Sequence, residues 1–163
     1  MASGDVLSKF TAMNNDYQGS NPATPGGVGA RTVMEFDQTT DEFGEFGDSM
    51  DSRYEGSGIT VTCWCWTSAT TGNAAIEAAI VRQNAGDNIS DAFTAVNTSG
   101  AVAVPGVANQ IFTITITFTD GADMDSVTKG DPFRIRINRD TGIGSNVAAD
   151  LILDRTEISE TVV

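Results

Sequence analysis

The run Gly58-Ile-Thr-Val-Thr-Cys-Trp-Cys-Trp66 restricts this chain more than any other stretch. Strict alternation marks a β-strand with two unlike faces: Ile59, Val61, Cys63 and Cys65 on one, Thr60, Thr62, Trp64 and Trp66 on the other. The first set suits the inside of a sandwich. The second carries two indoles, each able to bury about 150–250 Å². That is too much apolar surface to leave in water. The Trp face is therefore expected to lie under an arm, a neighbouring subunit or a ligand.

Other segments repeat the pattern. Gln110–Thr119 sets Phe112, Ile114, Ile116 and Phe118 against Ile111, Thr113, Thr115 and Thr117. Pro132–Arg139 sends Phe133, Ile135 and Ile137 inward and Arg134 and Arg136 outward, and Val147–Ile158 does the same with Ala149, Leu151 and Leu153 against Asp150, Ile152 and Asp154. Further strands are expected at Thr32–Asp37 and Ala74–Gln83, with an edge strand at Ala101–Val107 because Pro105 cannot donate to a ladder. Asn84–Thr98 reads as a loop with one helical turn near Ser90–Phe93, and a second short turn follows Asp123. Strands joined by Gly, Asn and Asp turns imply an all-β chain, an antiparallel β-sandwich of jelly-roll type. Its expected core is Val61, Cys63, Ile76, Ile80, Phe112, Ile114, Ile116, Phe133, Ile135, Leu151 and Leu153.

Ahead of this sandwich, residues 1–31 read as an extended N-terminal arm and residues 32–163 as the domain. The turn-rich stretch Asn14–Ala30 has almost nothing to bury, although Phe10 and Tyr17 are adhesive groups within the arm. The arm holds Asp5 and Asp16 against Lys9 and Arg31, so the body carries the whole net charge of −13. Such a charge argues against nucleic acid or an anionic membrane as partner. No apolar run is long enough to span a bilayer, and no signal peptide is visible at the start. Gln38–Glu55 mixes acids with Phe43, Phe46, Met50 and Tyr54, which reads as a solvated loop pinned by its rings; calcium is the other reading, without the EF-hand spacing.

Chemistry is limited by what is absent. There is no His, so the usual nucleophile–base pairs fail, and no two of the 22 acids stand out as a hydrolytic pair. Cys63 and Cys65 lack further ligands for a metal and are expected to pack as small hydrophobes. No cofactor, metal or catalytic residue is expected, and the chain is read as acting by binding. The candidate contact residues are Phe10, Tyr17, Trp64, Trp66, Arg134 and Arg136. If the Trp and Arg strands adjoin, the guanidiniums stack on the indoles, forming a subunit interface, a layer under a loop or arm, or a sugar-binding surface.

Several segments, among them Tyr54-Glu-Gly-Ser-Gly-Ile-Thr-Val-Thr62, Thr67-Ser-Ala-Thr-Thr-Gly72, Phe118-Thr-Asp-Gly-Ala-Asp-Met-Asp-Ser-Val127 and Gly130-Asp-Pro-Phe-Arg-Ile-Arg-Ile-Asn-Arg-Asp140, resemble small virion proteins of tailed bacteriophages. The likeness covers roughly residues 32–158 and implies a jelly roll on the particle surface. It implies a capsid decoration or cement protein, a homotrimer on the outer capsid surface with the major capsid protein as partner and the arm as clamp. The alternative is a tail-associated receptor-binding or carbohydrate-binding module.

Overall fold

Wherever the sequence alternates strictly, the chain pleats, and the pleated segments gather into two facing sheets. The computed structural model describes residues 4–16, 20–93 and 95–161. In chain order its strands are β1 (Val6–Thr11), β2 (Thr24–Val28), β3 (Arg31–Phe36), β4 (Phe43–Ser49), β5 (Ile59–Trp66), β6 (Asn73–Ala74), β7 (Ile76–Arg82), β8 (Val96–Thr98), β9 (Val102–Ala103), β10 (Phe112–Phe118), β11 (Pro132–Arg139) and β12 (Leu151–Glu160). The larger sheet runs β10-β5-β12-β3-β2, with β1 also on β12; the smaller runs β4-β11-β7-β8. All pairings of these strands are antiparallel, and the described residues contain no α-helix. The architecture is an antiparallel β-sandwich of jelly-roll type.

The inner faces meet as expected. Val61 and Cys63 of β5, Ile114 and Ile116 of β10, Ile80 of β7, Ile135 of β11 and Leu153 of β12 lie in one core cluster, which Phe112 joins partly buried from the end of its strand. Gly58 opens β5 with φ +83°, and a Cβ there would collide with the Phe118 carbonyl oxygen, so only glycine fits. Two polar anchors pin the loops. Arg139, fully buried, donates to the carbonyls of Phe36, Val147 and Ala149 at 2.9, 3.2 and 3.1 Å. The Tyr54 hydroxyl donates to Asp120 at 2.6 Å and accepts the Gly58 N–H at 3.2 Å.

Two expectations need correction. The acidic stretch 38–55 contains β4, because Phe46 pairs with Ile135 and turns into the core while its neighbours face out. No helical turn forms near Ser90–Phe93 among the described residues; Asp87 and Asp91 instead accept the N–H groups of Asn84 and Asn88 and hold tight turns. The leading segment is extended, as expected, but it lies on the chain's own sandwich. Strand β1 takes an edge of β12, and β2 forms a hairpin with β3. Further along, Asp16 and Ala23 donate backbone N–H groups to Glu45 and Phe43, covering the free edge of β4.

Two outcomes follow. Ile114→Ala should lower stability in urea by about 2–5 kcal/mol through lost burial and a cavity. The second concerns Glu160, whose burial alone would raise its carboxyl above the ordinary 4.5; the Ser57 hydroxyl and the N–H groups of Glu55, Ser57 and Gly56 outweigh that and hold it lower. A depressed folded-state value gives stability that is present above about pH 4.5 and lost as pH falls through the folded value. Glu160→Gln should therefore flatten the acid limb of a stability-against-pH profile.

Candidate functional site

The outward side of β5 is the first place to look, since it holds both indoles. Their fates differ. The Arg155 guanidinium lies 4.3 Å from the Trp64 ring centroid and bridges onward to Glu157 at 3.3 Å. Arg155 reaches that position through a bulge in β12: the pairing steps from Leu153↔Cys65 to Arg155↔Trp64, leaving Asp154 over. Trp64 is therefore covered, by a side chain of its own sheet.

Among the described residues, no guanidinium lies over Trp66. Two residues further along the strand, it lies half-buried at the end of the larger sheet beside an open cavity of roughly 490 Å³. Val28 and Arg31 from the β2–β3 hairpin and Asn109 and Ile111 ahead of β10 form the rest of the lining. Val28 and Ile111 are about half exposed, at 49% and 52%. Arg31 is held from behind by Asp154 at 3.4 Å, so the cavity combines an indole, two aliphatic groups, a guanidinium and an amide.

Arg134 and Arg136 stand elsewhere. They belong to β11 in the smaller sheet, on the opposite side of the sandwich from the indoles, and the expected Trp–Arg stack does not form. Both guanidiniums instead close on Glu45, which is 1% exposed. Arg134 reaches its Oε2, while Arg136 donates from Nε at 2.9 Å and Nη2 at 2.6 Å to Oε1. Arg136 also lies between two phenyl rings, 4.4 Å from the Phe43 centroid and 4.5 Å from that of Phe93. Burial lowers the Arg136 pKa from its ordinary value. Phe93 comes from the 84–95 loop, which it fastens across the sheet.

Of the other candidate contact residues, Phe10 is inside the molecule, 2% exposed and stacked on Phe46 at 5.2 Å, so it offers nothing to a neighbour. Tyr17 lies outside the described residues. Cys63 and Cys65 are fully buried, and burial pushes the Cys63 thiol up to about 12, which leaves no thiolate for chemistry. Among the described residues, no three His, Cys, Asp or Glu side chains gather as metal ligands.

Sequence reasoning missed Arg155, Glu45, Phe43 and Phe93. Plain alternation from Leu151 and Leu153 points Arg155 inward, and only the bulge reverses it. Glu45 was hidden in an acidic run; the signal that could have found it is Phe43-x-Glu45 against inward Phe46.

No family model matches the chain, and no curated protein matches it. Solved structures do. A family 35 carbohydrate binding module from an environmental isolate superposes with a TM-score of 0.53 at 10% identity, over 96% of this chain and 99% of that one. A xylan-binding module, CBM15, gives 0.51 at 11% identity over 96% and 98%. The CBM36-1 domain of a multidomain xylanase from the hindgut metagenome of Trinervitermes trinervoides gives 0.50 at 12% over 96% and 98%. At such identities the likeness establishes the shared fold. It also corrects the expected function: the capsid decoration reading is overturned, since these structures sharing the sandwich are carbohydrate-binding modules and none is a capsid protein. Two of its physical supports fall with it, because Phe10 is internal and Trp64 is covered from within.

Removing the shared carboxylate tests the Arg cluster. Glu45→Ala leaves two guanidiniums without their acceptor and should cost about 1–3 kcal/mol in chemical denaturation.

Proposed function

We propose that this chain is a saccharide-binding module that acts without catalysis, with Trp66 as the platform on which a sugar ring stacks. The observation that carries the reading is the contrast between the two indoles: Trp64 is occupied by Arg155, whereas Trp66 lines an open cavity with hydrogen-bonding groups at its rim. A pyranose has an apolar C–H face and an equatorial edge of hydroxyls. An indole meets the first by dispersion and the hydrophobic effect, and Arg31 and Asn109 are placed to meet the second. The cavity is within the range of small-ligand sites, about 300–1,000 Å³. The carbohydrate-binding modules with the same sandwich support this class of ligand. A net charge of −13 favours a neutral glycan over an acidic one.

A glycan array followed by calorimetry with xylohexaose and cellohexaose is the test. Trp66→Ala should weaken binding by on the order of tenfold or more, about 1.4 kcal/mol, with an unchanged unfolding midpoint. Trp64→Ala should do the reverse, losing stability while a sugar still binds. An array with no hit, or a Trp66→Ala variant that binds as well as the parent, would remove the reading.

A further inference from the structure

The outer face of the smaller sheet has a floor of unusual make-up for a protein so acidic. Two cross-strand rows cross it. One is Phe43–Asn138–Glu77, and the next is Glu45–Arg136–Ala79–Val96. Small Ala79 at the centre leaves a hollow of roughly 200 Å³, several water volumes at ~30 Å³ each. Phe93, carried over the sheet by its loop, walls this hollow on one side, and a second hollow lined by Ser90 and Arg134 opens beyond it.

The polar groups here are arranged for a ligand that both donates and accepts. Asn138 Nδ2 donates to Glu77 Oε2 at 3.2 Å, which fixes the pair side by side. The other carboxylate oxygen of Glu77 and the amide oxygen of Asn138 take no donor among the described residues. Two free acceptors on adjoining residues suit the O–H groups of a sugar, and bonds from such groups to a carboxylate are of the stronger, charge-assisted kind. Glu45 is shared by Arg134 and Arg136, so these three groups and Glu77 together carry no net charge, which suits a neutral polyol with an apolar face.

We propose that this hollow is a second saccharide site, taking one neutral sugar residue with its C–H face against Phe93 and Val96 and its hydroxyls on Glu77 and Asn138. The proposal rests on the saccharide reading and goes beyond it. The two sites lie on opposite outer faces of the sandwich, so one module would engage two glycan segments. On a polysaccharide surface the second contact is governed by effective concentration, and two weak sites give avidity that neither has alone.

The two sites can be read separately, because the only Trp residues, Trp64 and Trp66, are both on the larger sheet. Binding there alters tryptophan fluorescence, and binding in the hollow is silent to it but gives heat. The probes are xylohexaose and cellohexaose, titrated by calorimetry and by fluorescence into the parent chain, Trp66→Ala, Glu77→Ala and Phe93→Ala. The expected result is a Trp66→Ala variant that still gives saturable heat with no fluorescence change. Glu77→Ala should keep the fluorescence change while losing the fluorescence-silent component by about tenfold or more. Phe93→Ala serves as the second variant should Glu77→Ala fail to fold. If Trp66→Ala abolishes all heat while the parent binds, the second site is wrong and the Trp66 site stands. If neither probe gives heat with the parent chain, both are wrong.

Discussion

Strand β12 bonds to three other strands, and its pleat decides what each side of the larger sheet displays. It pairs with β5 along one edge, and β3 and β1 share the other. An unbroken alternation would have served the first half of the strand and failed the second, turning Arg155 into the core. The bulge at Asp154 shifts the phase by one residue. Leu151 and Leu153 face inward before it, Thr156 and Ile158 after it, and Arg155 is released onto the Trp64 ring. That shift divides the two indoles, one capped by a guanidinium and one beside an open cavity, and the candidate site exists because of the division.

The same logic of matched charge organises the opposite face. Glu45 is nearly inaccessible, yet it stands on an outward strand position, covered by the two arginines that pair with it. A buried carboxylate is tolerable only with such partners. Because the cluster is internally satisfied, Arg134 and Arg136 are structural first: they hold Glu45, Phe43 and the Phe93 loop together. Arg139, three positions further on and so on the inner face, is structural, its guanidinium spent on backbone carbonyls. Three arginines in one strand thus do different work according to what lies above them.

The leading segment illustrates how charge and composition mislead. Its neutral, turn-rich sequence reads as a tether waiting for a partner. Sheet edges supply that partner within the same chain. Strand β1 satisfies the backbone of β12, and Asn15, Asp16, Asn21 and Ala23 blunt the exposed edge of β4, where unpaired N–H and C=O groups would otherwise invite association. Phe10 then has a place in the core beside Phe46.

Alternation alone determined the all-β class, the inward residues of β5, β10 and β11, and the role of both cysteines, because a period of two assigns side chains to faces without reference to any other strand. It also singled out the outward Trp pair as the surface requiring an explanation. Only the tertiary structure decided which outward groups meet. Trp64 and Trp66 lie in one sheet and Arg134 and Arg136 in the other, so residues that looked like partners are separated by the thickness of the core. Strand order and the position of a bulge are set by long-range pairing and by how the two sheets fill the space between them. A local pattern carries no term for either, and so Arg155, Glu45 and Phe93 became visible only in the fold.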